Sequence, residues 1–527
     1  MVSATADRRA AERRRRTSDI VDPERAQLRA HAVSGARWVT GSQLALQFTN
    51  MVTALVLARL LTPDDFGLMA LVGVVSAWID RTLGQNVTGS AVIQKPVLTP
   101  GLASSVFFLN IAVGLMAGIA LAASAPAVAW LLGDERTVDL LRVIALVPVI
   151  ASSSYIHRAI LRRSMRFSRF AVVMYSYAVA NAVASIAFGL AGFGVWALVF
   201  GSLAGTTTST VAAWVLSGWR PLAHFRLAEI REISRFSSGL SLNNVFNYLS
   251  EYGDRYVIGR FIGTTAVGFY NVAYRLLLYP VQITVRAFLH VLFPTFSRMG
   301  DDHRAMGRGF VRAVSLVFAL TLPAMTGLAI LAEPVVGALL GPRWLPAATL
   351  VSILSFIAPL SVVTSATSAI YQAKGRTHAM MLMAALDGAI LVTAYVIGAQ
   401  WGLVGVATAY LVAEVLWVYP QLAVPFRWIG LPVRRLVAAL RPFALGSAVM
   451  AAVVFPLRVL LESGDFGWWP ILGICVPAGV VVYGAVILAL RPPAVDDLIA
   501  VVGPRLPLAR MMRQRGRDRA TTSDAVP

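Results

Sequence analysis

Residues 58–67 read Ala58-Arg59-Leu60-Leu61-Thr62-Pro63-Asp64-Asp65-Phe66-Gly67, and at an offset of about 201 residues they align with Gly259-Arg260-Phe261-Ile262-Gly263-Thr264-Thr265-Ala266-Val267-Gly268. At an offset of about 208, Pro126 to Gly133 falls on Pro334 to Gly341, with a proline start and a shared Leu-Leu-Gly end. The same offset sets Phe193-Gly194 on Trp401-Gly402. Three registrations in one order point to an internal duplication.

What is duplicated follows from the sequence around these stretches. Of the 527 residues, 57% are hydrophobic and only 14% charged, with a mean hydropathy of +0.70. Soluble domains carry about a quarter charged residues, so this composition describes an integral membrane protein and excludes soluble enzymes and nucleic-acid modules. A bilayer core needs about 20 mostly apolar residues per helix, and about fourteen such runs lie between residues 37 and 490. Six helices separate equivalent points of the duplication. That even number gives both copies one orientation, a parallel repeat about the membrane normal. The expected fold is therefore an all-α polytopic membrane protein of about fourteen transmembrane helices. Residues 37–218 form a six-helix lobe and 236–422 a second, while 437–490 add two further spans. Residues 1–36 and 491–527 are basic tails.

Charge sets the orientation. The net charge of +20 and a pI of about 11.0 would suit nucleic acid, but the arginines cluster in the tails and in alternate gaps between apolar runs. Membrane topology produces that distribution. Gaps assigned to the cytoplasm hold Lys95, Arg158 to Arg169, Arg220 to Arg235, Arg298 to Arg312, Lys374 with Arg376, and Arg427 to Arg441. Outside gaps hold little more than Arg136, Arg343 and Arg458, beside Asp64, Asp65, Asp134, Glu135, Glu462 and Asp465. Both termini are expected in the cytoplasm. Arg13 to Arg16 read as a topology anchor rather than a nuclear signal or lipid-binding patch. The first apolar run begins near Trp38, too late for a secretory signal. The single cysteine, Cys475, allows no intrachain disulfide.

Polar stripes within the spans mark inward faces. Gln43, Gln47 and Asn50 share one helical face of the first span, and the repeat sets them opposite Asn244, Tyr248 and Glu251, with Arg255 one turn further. Two equivalent stripes that cannot face lipid cheaply are expected to line one cavity between the lobes, the alternative being hydrogen bonds in a dry bundle. In the eighth span Arg275, Tyr279, Gln282 and Arg286 lie near one line of a helical wheel. Arginine within a span implies water, an anion or an acidic partner, although Arg286 is also placed to snorkel to the headgroups. Arg81 and Arg142 are weaker candidates of the same kind. Guanidinium forks match phosphate oxygens, so a cavity with several arginines suits a phosphorylated substrate.

Other motifs lead to structural readings. Asp64-Asp65 suggests a metal-binding or basic pair of a membrane glycosyltransferase. Yet Thr62 suits a helix cap, Pro63 its first turn, and the two acids its positive dipole end. Gly114/Gly118 and Gly201/Gly205 read as helix-packing pairs. The six histidines show no metal spacing, and no phosphate-binding glycine loop is present, so no cofactor, metal or built-in ATPase is expected.

A string of motifs then resembles a known family. The 58–67 stretch, Ala91-Val92-Ile93-Gln94-Lys95, Arg163-Ser164-Met165-Arg166-Phe167, Gly192-Phe193-Gly194-Val195-Trp196-Ala197-Leu198-Val199 and Gly268-Phe269-Tyr270-Asn271-Val272-Ala273 are similar to the polysaccharide transporters of the Wzx type. These belong to the superfamily of multidrug-and-toxin extruders and lipid II flippases, and the likeness covers roughly residues 34–425. It implies a flippase that moves polyprenyl-pyrophosphate-linked oligosaccharide to the outer leaflet by alternating access between two six-helix lobes. Its surroundings would be membrane lipid, and a polysaccharide polymerase and export machinery would be its protein partners. Two alternatives are a cation-coupled drug antiporter and a polyprenyl-dependent glycosyltransferase. The antiporter would need a dominant acidic site, whereas the buried acids Asp387 and Glu414 are outnumbered by candidate arginines.

Overall fold

The computed structural model describes residues 41, 45–83, 98–227, 252–277 and 302–493, and among these the regular structure is helical, without strands. Eight helices among them are long and apolar enough to cross a membrane, or nine with a bent pair counted as one span. The described residues fall into two compact units. One holds those up to Val245 except Thr62–Ala70; the other holds Thr62–Ala70 and those from Phe246 onward.

The first unit begins with α1 (Ala45–Leu60) and most of α2 (Pro63–Leu83). Next comes α3 (Pro100–Leu132), where Thr99 accepts a hydrogen bond from the Leu102 amide and Pro100 fills the first turn. Gly133, at φ 82°, ends that helix in the left-handed region open to glycine. The run expected at 138–157 is broken into α4 (Thr137–Ile144), α5 (Leu146–Ser152) and α6 (Tyr155–Arg163). Its chemistry explains the breaks. Pro148 lacks an amide donor, and Ser152, Ser153 and Ser154 each turn a hydroxyl back onto the carbonyl three residues earlier.

The unit closes with α7 (Phe167–Leu190) and α8 (Trp196–Ser217), packed closely at small residues. A Cβ at Gly205 would stand 2.9 Å from the Tyr177 carbonyl oxygen, and one at Gly118 2.7 Å from that of Ala145. Both glycine pairs thus serve close helix approach, which van der Waals contact must supply in lipid. Beyond α8, residues 218–227 fold back onto the start of α3. Ser104 accepts from the Leu222 amide at 2.9 Å and Ser105 from the Arg226 amide at 3.1 Å. Trp219 and Trp214 enclose Phe107 and the buried His157, whose Nδ1 pairs with Ser217 Oγ at 2.8 Å.

The second unit contains α9 (252–261) and α10 (264–277), then α11 (His303–Ile330) and α12 (Ala332–Leu339). α13 (Pro346–Leu354) and α14 (Ile357–Ala373) form an apolar pair bent by 40° at the break between them. α15 (Thr377–Gly398) and α16 (Gly402–Ile429) make a hairpin, turned where Gly402 takes φ 73°. Phe310 of α11 meets Phe426 of α16 edge to face at 5.1 Å. The fully buried Trp344 receives the edges of Phe66 and Phe269.

α17 (Val433–Ser463) and α18 (Trp468–Leu490) pack against this unit. Arg458 donates to the Ile330 carbonyl at 2.6 Å, to Glu333 at 2.8 Å and to Glu462 at 2.6 Å. Trp468 covers Gly337, and Tyr483 donates to the Ala319 carbonyl at 2.7 Å. Most described helices fall on an apolar run or on a kink within one, but α12 occupies the gap expected between the ninth and tenth runs, and α6 continues from the fourth run into the arginine-rich gap as far as Arg163. Residues 236–251 and 278–291 of the seventh and eighth runs lie outside the described residues.

Candidate functional site

Thr62 and Asp65 form a reciprocal cap. Thr62 Oγ1 accepts from the Asp65 amide at 3.3 Å, and Asp65 Oδ2 accepts from the Thr62 amide at 2.9 Å. Both carboxylates lie in the first turn of α2, where the helix dipole favours them. Asp64 Oδ1 also accepts from Thr265 Oγ1 at 3.1 Å. The acidic pair is thus engaged in capping and packing, and among the described residues no group of three His, Cys, Asp or Glu is placed to hold a metal.

Of the predicted arginines, Arg255 has the most developed surroundings. It is half-buried, with its guanidinium 4.7 Å from the Tyr252 ring centre and 5.8 Å from that of Tyr274. Its backbone amide donates to the buried Asp254 at 2.7 Å, and its Nε has no hydrogen-bond partner among the described residues. Tyr270 stacks on Tyr274 at 6.1 Å, and Tyr395 meets Tyr410 at 5.4 Å. A carboxylate, a cation and several tyrosines therefore share one region of the second unit. Asp254 and the tyrosines were not singled out from the sequence, because they come from α9, α10, α15 and α16 and no local pattern joins them.

The other predicted residues that the structure describes lie on α1, α2, α4 and α10. Arg275 is exposed on α10. Gln47 and Asn50 are half-buried on α1, and Gln47 Oε1 has no partner among the described residues. Arg142 is an exposed residue of α4, 3.5 Å from the exposed Asp139 on the same helix face, a pair of small energetic value. Arg81 lies in the last turn of α2. Gln43, Asn244, Tyr248, Glu251, Tyr279, Gln282 and Arg286 lie outside the described residues.

A further concavity of about 210 Å³ lies among α14, α15 and α16. Thr364, Ser365, Thr367 and Ser368 line one side, while Asp387 faces Gln421, whose Nε2 donates to Asp387 Oδ1 at 2.7 Å. Spacing of the hydroxyls along α14 was the sequence signal for it, hidden among apolar neighbours.

Comparison with known proteins adds to this geometry. The family described as polysaccharide biosynthesis protein matches residues 56–349. The succinoglycan biosynthesis transport protein ExoT of Rhizobium meliloti is 29% identical over 58% of this chain, and the match spans only 62% of ExoT. Lipopolysaccharide biosynthesis protein WzxC of Escherichia coli is 24% identical over 74% of this chain and 80% of its own. Teichuronic acid biosynthesis protein TuaB of Bacillus subtilis is 24% identical over 89% of this chain and 97% of its own. In fold, the chain is similar to the lipid II flippase MurJ in an inward closed conformation, with a TM-score of 0.71 at 16% identity over 87% of this chain and 98% of that one. An inward-facing multidrug transporter of the MATE family gives a TM-score of 0.60 at 17% identity over 73% of this chain and 94% of that one.

Proposed function

The chain belongs to the polysaccharide biosynthesis protein family, and from that premise we propose that it is a flippase. It carries polyprenyl-pyrophosphate-linked oligosaccharide across the bacterial cytoplasmic membrane for assembly of a cell-surface polysaccharide. The observation that carries this reading is that relatives in three polysaccharide systems coincide with a fold like that of a lipid II flippase. A transporter with no catalytic centre fits the capped and packed acidic pair at Asp64-Asp65.

In this reading residues 37–218 and 236–422 are two six-helix lobes in parallel repeat, 437–490 complete fourteen spans, and both termini are cytoplasmic. The bond between Asp64 and Thr265, 201 positions apart, supports the repeat. Transport proceeds by alternating access to a polar cavity lined by Gln43, Gln47, Asn50 and their repeat partners Asn244, Tyr248 and Glu251. Arg255, Arg275 and Arg286 take the pyrophosphate, with Tyr279 and Gln282 beside them. The Arg255 guanidinium supports that role as a charged donor group held beside Tyr252 and Tyr274, with its buried Nε unpaired among the described residues. A polymerase and export machinery receive the product.

The test is export of lipid-linked oligosaccharide in a flippase-deficient bacterial strain that expresses this chain. Restored surface polysaccharide is the expected result. No restoration at normal membrane abundance, across several lipid-linked repeat units, overturns the reading.

A further inference from the structure

The concavity among α14, α15 and α16 has a chemistry unlike that of the arginine region. Each serine and threonine hydroxyl on its α14 wall already spends its proton on the helix backbone. Thr364 and Ser365 donate to the Ser361 carbonyl, Thr367 to that of Thr364, and Ser368 to that of Ser365. What these oxygens present to the pocket is acceptor lone pairs. Across from them, Gln421 Nε2 is held on Asp387 Oδ1, which leaves Asp387 Oδ2 and Gln421 Oε1 as further acceptors. Donors on this wall are the second N–H of Gln421 Nε2 and the Tyr371 hydroxyl, which has no partner among the described residues although its residue is only 4% exposed. Met380 and Met383 complete the lining with an apolar surface.

Three classes of ligand fit this wall badly. An anion would meet a carboxylate and a row of acceptors, so the pyrophosphate belongs elsewhere. A bare cation needs oxygens converging at roughly 2–2.6 Å, whereas this space of about 210 Å³ far exceeds the ~10–15 Å³ that one water requires. A lipid tail would leave the acceptors and the Tyr371 hydroxyl unpaired. A sugar ring satisfies all of them: its hydroxyls donate to the acceptors, one of its oxygens accepts from Tyr371, and its C–H face lies on the methionines.

We infer that this pocket is a saccharide subsite for one neutral hexose ring of the transported oligosaccharide, with Asp387 and Gln421 as its orienting contacts. The inference rests on the flippase reading above. It separates recognition of sugar from recognition of pyrophosphate within the second unit.

Ligand-observed saturation-transfer NMR on the full chain in lipid nanodiscs tests it, with glucose, galactose and N-acetylglucosamine as probes. At least one should give a saturable signal. Asp387→Asn, which keeps the shape of the side chain, should weaken that signal by about tenfold or more, and Thr364→Val by a smaller factor. No saturable signal from any of the three, or equal binding in both variants, overturns the subsite. Saturable sodium-23 line broadening that Asp387→Asn removes also overturns it, in favour of a cation site. Export by the unsubstituted chain separates the two readings. Export with failed sugar binding overturns the subsite alone, whereas sugar binding without export keeps the subsite and defeats the flippase.

Discussion

Gly67 and Gly268, 201 positions apart, make reciprocal contacts: a Cβ on Gly67 would strike the carbonyl of Thr264, and a Cβ on Gly268 the carbonyl of Pro63. Thr264 is itself 201 positions beyond Pro63. The two helix starts therefore approach backbone to backbone through the same pair of positions, with Asp64 hydrogen-bonded to Thr265 beside them.

Alanine at either glycine should accordingly destabilise the protein. A methyl forced onto a backbone carbonyl costs about 1–3 kcal/mol, since neither helix start is a flexible side chain that can move aside. Gly73 on the same helix has nothing within 4 Å of its would-be Cβ, so Gly73→Ala should be neutral or stabilising. Thermal unfolding in detergent checks this. Equal Tm values for the three variants would remove the close approach.

Neutralising the acidic pair should matter little to activity. Asp64→Asn with Asp65→Asn weakens a cap and dipole interaction worth about 0.3–1 kcal/mol per charge. Export should persist at matched abundance. Complete loss of export there would instead favour an enzymatic role.

Arg255 and Arg275 should respond in transport rather than in folding. Loss of a charge-assisted contact of roughly 1.5–3 kcal/mol corresponds to a fall in export of about tenfold or more for Arg255→Gln. Lys should rescue only in part, because an ammonium keeps the charge but loses the fork. Full export by the Ala and Gln variants at both positions would sink the cationic site.

Arg458→Met should lower Tm. Arg458 is only 16% exposed, and the substitution strands the Ile330 carbonyl and Glu462. The expected cost is about 1–3 kcal/mol, with little of it from the more exposed Glu333. An unchanged melting curve would show that packing alone holds α17.

Topology is checked with a reporter. Alkaline phosphatase fused to the C-terminus should be inactive, as the alternation of basic gaps requires. High activity would overturn the even number of spans.

Legibility in the sequence follows the range of each interaction. Helix runs, the Thr62 cap and the glycine packing pairs are local, governed by hydropathy and by spacings of three or four residues, so they could be read directly. The three-part break of the 138–157 run was not read, although Pro148 and the Ser152-Ser153-Ser154 run carried its signal. Contacts between distant helices left no such trace. Arg458 reads as an ordinary outside arginine until Glu333 and Ile330 arrive beside it, and Asp387 as an isolated acid until Gln421 does. Arg142 illustrates the converse: its place in an apolar run fits an inward charge and a snorkelling one equally, and the structure shows it exposed beside Asp139 on the same helix.

The attachment of α17 and α18 has a mechanical consequence. Arg458, Trp468 and Tyr483 fasten both helices to the second unit, so whatever displacement that unit undergoes drags their lipid-facing flank along. Exposed Leu445, Phe455, Leu460 and Val480 give these helices an apolar outer surface. The two helices thus widen the apolar perimeter of the second unit, and a bilayer whose thickness mismatches α17 and α18 should act on that unit through Arg458, Trp468 and Tyr483.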